Sequence, residues 1–388
     1  MAILTRMISV LKLYVVGVKL LLYQLIHRPF ISPALPEQRG KVAIVTGGTR
    51  GIGYQIVKRL LNLGMHVIIA SHDKQQGLVA VERLRKESSE AQVDFEFLDL
   101  ASQSSVQEFV RRFKERKLPL HILVNNAAVM LVPEEKTDDG FELHFSVNYL
   151  GHFLLTRLLL DTLMHSGTKE RSRVISICSS AHYVSDRKLQ DFHSTQDYSS
   201  HASYARSKLA QLLFTYHLHQ ELQSGGYAVT VNAVDPGMVD TALYRHMSFP
   251  EKLAQKPIAC LLFRTPAQAA ETAVYAAASQ DFEGVSGCYV HEGERVESSS
   301  ASYDAELQAE LWKSTCRLLR LPWPCGFLLG SLVSSHFQKN MPEDKLPLGV
   351  NMVPWDRLAV FPPRAQHSWN TLWIQQHPDQ DKALTRDE

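Results

Sequence analysis

Tyr204 and Lys208 stand four residues apart in the stretch Tyr-Ala-Arg-Ser-Lys. On a helix that spacing puts both on one face, within reach of a single site. A tyrosine that gives and takes a proton near neutral pH must ionise far more readily than the free side chain, whose pKa is about 10. The shift asks for roughly 4 kcal/mol of preference for the anion. One fixed cation at about 4 Å supplies that order of energy at an effective dielectric near 20, so Lys208 is sufficient in magnitude. The pair suits acid–base chemistry on an alcohol or a carbonyl. Taken alone, it is also an ordinary meeting of tyrosine and lysine on a solvated helix face.

A second group gives it company. Lys41 to Tyr54 reads Lys-Val-Ala-Ile-Val-Thr-Gly-Gly-Thr-Arg-Gly-Ile-Gly-Tyr, which is a strand, a glycine turn and a helix start. The apolar run 42–45 suits a strand buried on both faces, and the glycines at 47, 51 and 53 follow at once. Glycine is needed where a backbone turns sharply or approaches a phosphate, and the N–H groups opening the next helix attract negative charge. Such a turn holds a dinucleotide diphosphate. The other reading of this stretch is a plain strand-to-helix turn.

The elements that must position these groups follow from periodicity. Apolar runs at 42–45, 66–70, 93–98, 121–124, 173–178 and 228–234 are separated by segments of helical period. That alternation predicts one α/β domain, a doubly wound parallel sheet covered by helices. Gly64 closes the first helix, another helix begins near Pro266, and 284–290 offers a last short strand. The domain is expected over residues 41–320. Beyond it, prolines at 322, 324, 342, 347, 354, 362 and 363 break up residues 321–388, which read as an irregular, disordered tail.

Thr46-Gly47-Gly48-Thr49-Arg50-Gly51-Ile52-Gly53, Asn125-Asn126-Ala127-Ala128, Asn148, Ser179-Ser180 and Tyr204-x-x-x-Lys208 together resemble the short-chain dehydrogenase/reductase family in order and spacing. The resemblance covers about residues 40–320 and is nearest the retinol-dehydrogenase-like branch, to which the stretch Asn148 to Thr156 contributes. It implies a Rossmann-like fold, NAD or NADP as cofactor, and a lipophilic alcohol or aldehyde as substrate. Across the branch that means retinoids or steroids; for the member nearest this chain it means long polyprenoids. The hydride would belong to the cofactor.

Carried over residue by residue, the resemblance makes Tyr204 the proton donor to a carbonyl or the base toward an alcohol. Lys208 would lower its pKa and hold the nicotinamide ribose. Ser180 would orient the substrate oxygen, with Ser179 competing for that part, and Asn148 would hold a water in the proton relay. Thr46, Gly47, Arg50, Gly51, Ile52 and Gly53 would surround the diphosphate, while Asn126 and Ala127 line the cleft. Asp99, beside Leu100, would accept from the adenine amino group, or else cap a helix before Ser102. Pro236, Gly237 and Thr241 fall on the nicotinamide-side loop. His72 stands where the branch carries the arginine that grips a 2′-phosphate. Arg50 and Lys74 would still serve NADP, Asp73 would favour NAD through a ribose hydroxyl, and use of both is expected. Ala128 replaces the usual glycine of its motif. His182 and His201 read as loop residues.

The ends and the composition set the remaining expectations. Residues 7–26 are long enough to cross a bilayer, but Lys12 and Lys19 interrupt the run. Seven residues apart, the lysines share a helix face, so residues 1–30 read as a membrane anchor that spans or lies in the interface. A removable signal peptide, and hence secretion, is the rival; basic residues within the apolar run disfavour it. The expected location is a membrane, that of the endoplasmic reticulum. Residues 31–40, with Pro33 and Pro36, read as a linker. Basic and acidic residues number 41 and 40, which argues against a nucleic-acid partner. The five cysteines, at 178, 260, 288, 316 and 325, form no Cys-x-x-Cys pair, so neither a disulfide framework nor a metal site is expected. Nothing fixes the oligomeric state.

The segment Thr241 to Phe263 is expected to form a lid over the substrate. Leu243, Tyr244, Met247, Phe249, Leu253, Ile258, Leu261, Leu262 and Phe263 make it apolar enough for a lipid. The rival from another class is a catalytically idle dinucleotide binder acting as a scaffold, which the intact Tyr204–Lys208 pair argues against.

Overall fold

The computed structural model describes residues 2–167, 170–185, 198–239 and 263–321, with the backbone alone described for residues 2–10. Thr241, the lid residues up to Leu262 and the tail from residue 322 lie outside the described residues.

Eight strands form one sheet in the order β3-β2-β1-β4-β5-β6-β7-β8. They are β1 (Val42–Thr46), β2 (His66–Ser71), β3 (Val93–Phe97), β4 (Ile122–Asn125), β5 (Ser172–Ile177), β6 (Val229–Asp235), β7 (Tyr289–His291) and β8 (Glu294–Val296). β1 to β7 pair in parallel and β8 returns antiparallel along β7. β1, β4, β5 and β6 are buried at every position. Central parallel strands are covered on both faces and so read as largely apolar runs, although β5 and β6 also bury Arg173, Ser176, Thr230 and Asn232.

Two apolar layers hold the helices. On one face lie α4 (Gln103–Glu115), α6 (Gly151–Ser166), α7 (Ser200–Ser224) and α9 (Ala305–Leu318), joined through Phe109, Phe153, Leu213 and Trp312. On the other lie α2 (Gly51–Asn62), α3 (Lys74–Glu87) and α8 (Pro266–Ala278), joined through Ile56, Ala80 and Val274. This is the doubly wound arrangement, and the strand order turns back between β1 and β4. Ligands of such sheets bind outside the carboxyl ends of the strands at that turning point. A short helical turn, α5 (Leu143–Phe145), and a π-turn over Ser146–Leu150 lead into α6.

Local chemistry agrees with these boundaries. Gly64 takes a φ of 82° just after α2, the left-handed position that glycine fills at helix ends. Thr265 and Gln268 form a capping box with Pro266 in the first turn of α8. β8 and α9 carry no reading in the sequence, because β8 is only three residues long and α9 follows a run of serines.

The N-terminal helix α1 (Ala2–Ile26) is not set apart from the domain. Among the described residues no helix is long and apolar enough to cross a membrane. Instead α1 lies on the carboxyl-end rim of the sheet, with Leu20 and Gln24 buried. The following segment stays docked: Phe30 N–H donates to Glu292 (2.6 Å), and Gln38 N–H to the Leu63 carbonyl (2.7 Å).

Candidate active site

The carboxyl ends of β1 to β6 open into one cavity of about 800 Å³. Its wall carries Gly47 and Arg50 to Gly53 after β1, His72 after β2, Asp99 and Leu100 after β3, and Asn126 and Ala127 after β4. Ser179 and Ser180 follow β5, Pro236 and Gly237 follow β6, and Tyr204 and Lys208 enter from α7. Among the described residues, four that are expected at the site are not on the wall: Thr46, Asp73, Lys74 and Asn148.

The diphosphate end is built from the turn. Gly47 and Gly51 adopt φ of 66° and 57°, left-handed conformations that side chains resist. No side chain caps α2, whose N-cap Arg50 is extended, so the opening N–H groups are offered to an anion. A Cβ on Gly53 would lie 2.4 Å from the Gly47 carbonyl oxygen and 2.5 Å from Asn126 Nδ2. Gly53→Ala is therefore expected to push the turn out of shape and weaken dinucleotide binding by about tenfold or more, the effect of roughly 1–3 kcal/mol of overpacking. A fluorescence titration of reduced dinucleotide checks it, and unchanged affinity would show the turn to be slack.

Thr46 sits behind the turn as a hub. Its hydroxyl oxygen accepts from Asn126 N–H (2.8 Å) and Ala127 N–H (3.0 Å), and it meets His152 Nε2 at 2.9 Å. The other ring nitrogen of His152 donates to the Asn148 carbonyl (3.1 Å), and burial pushes its pKa down to about 4. A neutral imidazole thus bolts the ends of β1 and β4 to α6. Asn126 Nδ2 donates to the Thr46 carbonyl (2.8 Å).

At the adenine end, Asp99 is on the wall and its Oδ1 accepts from Ala101 N–H (2.9 Å). The helix-cap alternative for Asp99 is not what forms: Ser102 caps α4 through Ser105 N–H. Asp73 caps α3, its carboxylate accepting from Gln76 N–H (2.9 Å). It is turned to its own helix, while Thr49, Arg50, Ser71 and His72 stand on the wall there.

At the reacting end, Tyr204 and Lys208 are both buried, with Lys208 Nζ 5.8 Å from the centre of the Tyr204 ring. Unit charges about 4–6 Å apart interact by about 3–4 kcal/mol at an effective dielectric near 20, the order of what the tyrosine needs. Lys208 donates to the Ile177 carbonyl (2.9 Å) and to Gln211 Oε1 (2.8 Å). An ammonium has three hydrogens, so one remains for a ribose hydroxyl. Burial pushes Lys208 down to about 8, an effect that Cys178 and the buried Asp235 oppose.

The two serines separate. Ser179 caps the 3₁₀ turn Ser180–Val184 by accepting from Ala181 N–H (3.3 Å). Ser180 gives its hydroxyl hydrogen to Asp235, which also accepts from the Tyr289 hydroxyl (2.6 Å) and Gly237 N–H (2.9 Å). Asn148 lies behind the cleft: its amide donates to the Val129 carbonyl (3.0 Å) and to Ser207 Oγ (2.9 Å), while its Oδ1 accepts from Val129 N–H (2.8 Å). Both amide hydrogens are thus engaged within the protein rather than on a relay water. The π-turn at this point, a feature that recurs at functional sites, is what carries Asn148 against Val129.

His182 and His201 are not loop residues. His182 is buried in the 3₁₀ turn, donating to the Ser179 carbonyl (2.7 Å) and accepting from Ser299 N–H (3.1 Å), and burial takes it down to about 4. His201 lies in the first turn of α7 on the cavity wall. Asp235, Gln211 and His152 were not singled out in the sequence. Gln211 and His152 had a signal, standing three residues after Lys208 and four after Asn148, where helix neighbours meet. Asp235 had only its place between an apolar strand and Pro236-Gly237.

Much of the remaining wall is α1, with Met130, Leu131, Leu143 and Val147 beside it. Leu13, Gly17, Leu20 and Leu21 line the cavity opposite the strand ends, and Phe263 lies on the same wall. Glycine cradle, uncapped helix, ribose-side lysine and the space itself fit a dinucleotide with an apolar compartment beside it. Among the described residues Cys178, Cys288 and Cys316 are free thiols.

The sequence profile described as short chain dehydrogenase matches residues 41–251. The chain is 55% identical over 312 residues to a polyprenol dehydrogenase of Danio rerio, covering 80% of this chain and 96% of that one. It is 46% identical to a polyprenol dehydrogenase of Homo sapiens (80% and 95% covered) and 41% to retinol dehydrogenase 13 of Mus musculus (74% and 86%). Among solved structures, an uncharacterized protein from Mycobacterium paratuberculosis is similar at a TM-score of 0.61 and 29% identity (76% and 99% covered). The Pseudomonas aeruginosa RhlG/NADP active-site complex is similar at 0.52 and 26% (68% and 97%).

Proposed function

The chain belongs to the short-chain dehydrogenase family and is a nicotinamide-dependent oxidoreductase, and from that premise we propose a long polyprenoid alcohol or aldehyde as its substrate, reached at a membrane surface. The observation that carries this reading is the apolar compartment between Tyr204 and α1, walled by Leu13, Gly17, Leu20 and Leu21. The 55% identity to a polyprenol dehydrogenase supports it. The finer likeness in the sequence, to the dehydrogenase/reductase X-linked protein, belongs to the same reading.

The membrane part rests on the outer face of α1. Leu11, Val15, Val18, Leu25 and Ile26 are exposed and fall within about 100° of arc at 3.6 residues per turn. Lys12 and Lys19 stand at one border of that stripe. A helix with its inner face on the protein and an apolar outer face edged by lysines lies in the interface plane rather than across it. A lipid then passes from the bilayer into the cavity beside α1 without crossing water. The endoplasmic reticulum is the membrane we assign.

The bound cofactor supplies or takes the hydride; the chain does the rest. Tyr204 donates the proton to a carbonyl oxygen or removes it from an alcohol, Lys208 steadies its anion, and Ser180 holds the reacting oxygen. To hold that oxygen Ser180 swings its hydroxyl hydrogen from Asp235 into the cleft, because an alcohol's single hydroxyl hydrogen goes to Tyr204 and a carbonyl oxygen only accepts. Asn148 acts as support for Val129 and Ser207. At the far end Arg50 favours the 2′-phosphate of NADP, and with Asp73 turned away, NAD is the weaker of two usable cofactors, by no more than about tenfold.

The test is an assay in detergent with polyprenol, dolichal, retinal and a short soluble aldehyde, each with both cofactors. The expected result is that the polyprenoids turn over best. A preference for the short aldehyde would defeat the lipid reading, and retinal in first place would defeat the polyprenoid version of it.

A further inference from the structure

Gln24, on the inner face of α1, is buried, and both polar ends of its side chain meet the backbone of one distant residue. Its Oε1 accepts from Met238 N–H (2.8 Å), and its Nε2 donates to the Met238 carbonyl (3.1 Å). Met238 lies 214 residues away, directly after Pro236-Gly237 on the cavity wall. A primary amide that reads both groups of one residue imitates the pairing of a neighbouring strand. The approach is close: a Cβ on Gly237, whose φ is 76°, would lie 3.2 Å from Gln24 Oε1.

The end of α1 is fastened from the same side. Arg264, buried, donates to the carbonyls of Gln24 (3.4 Å) and His27 (3.0 Å) and pairs with Glu292 (3.0 Å). A cation on the last carbonyls of a helix is favourable through both hydrogen bonding and the helix dipole. Arg264 N–H donates in turn to the Met238 carbonyl (2.8 Å). Gly17, one helical face-repeat before Gln24, faces Met238 as well: a Cβ there would meet its sulfur at 3.8 Å, an ordinary contact.

We infer that Gln24 is a positioning residue of the active site, fixing the Pro236–Met238 loop against the nicotinamide end of the cofactor, so that α1 is a working wall of the catalytic domain. The inference rests on the oxidoreductase reading of this cavity and on the loop's place beside Lys208. It concerns one end of the cofactor only. Asp99, Gly47 and α2 would hold the adenine and diphosphate, whereas the two amide bonds of Gln24 are made to Met238.

The experiment therefore compares two ligands on the full-length protein in detergent: the whole reduced dinucleotide and its fragment lacking nicotinamide, adenosine diphosphoribose with or without the 2′-phosphate. Gln24→Met keeps the shape and removes both hydrogen bonds. It is expected to weaken the whole dinucleotide by about tenfold, the effect of two neutral hydrogen bonds, while the fragment binds as to the unaltered protein. Gln24→Glu restores both bonds only when its carboxyl is protonated, so its affinity for the whole dinucleotide should improve as the pH is lowered. Equal weakening of both ligands would make Gln24 a general support of the fold and overturn the inference, as would no weakening of either. Failure of the unaltered protein to bind either ligand would count instead against the oxidoreductase reading.

Discussion

Tyr204→Phe is expected to lower kcat by between about 10² and 10⁴, the range that a positioned proton donor contributes, and to leave dinucleotide affinity nearly unchanged. The substitution deletes one hydroxyl and no apolar surface. Tyr204 is buried, and its ring packs with Met130, Ala181 and Ala205, so phenylalanine keeps the same packing. On the proposed reading, binding of the dinucleotide rests on the glycine turn, Asn126 and Lys208, which are left as they are. The loss should therefore fall on turnover and not on KM for the cofactor. Steady-state kinetics beside a fluorescence titration separate the two. A variant that turns over at the original rate would remove Tyr204 from the chemistry and with it the proposed mechanism.

Lys208→Met is expected to cost about 10² in kcat/KM, because about 3 kcal/mol of support for the tyrosinate goes with the cation. It also changes the pH dependence. Burial pushes Lys208 from its ordinary range down to about 8, so the side chain is charged below that pH and neutral above it. Since the charged form supports the Tyr204 anion, kcat/KM, which reports groups of the free enzyme, should fall as the pH rises through about 8. Lys208→Met should lose that alkaline limb together with most of the rate. Lys208→Arg keeps its charge at every pH in reach and should carry the activity past the point where the unaltered enzyme declines. An alkaline limb near 8 that persists in Lys208→Met would assign it to some other group.

The strands and the turn were legible because each is decided locally. Val42 to Val45 lie within a parallel sheet, where both faces are covered, and a strand in that position is largely apolar. Gly47 and Gly51 hold left-handed conformations that leave the sequence scarcely any choice of residue. The pairing of Tyr204 with Lys208 is a matter of helix pitch, fixed by spacing alone. From such features the α/β fold and the dinucleotide cleft follow, and most of the cleft's residues can be numbered before any coordinate is known.

What the sequence could not decide was which partner a face or a polar group would meet. The period of α1 announces two faces, yet apolar residues serve lipid and protein alike; only the packed chain shows Leu13, Gly17 and Leu20 turned to the cavity and Gln24 closed on Met238. Asp73 and Asp99 have the same side chain at the ends of adjacent strands. Asp73 is drawn to the N–H groups of its own helix, while Asp99 stands on the wall because Ser102 has taken the capping position. Asp235 becomes the holder of Ser180 only when β5, β6 and β7 lie side by side. Hydrogen bonds are short and directional, so a contact such as that between Gln24 and Met238, 214 residues apart, exists only once the whole sheet has placed its ends.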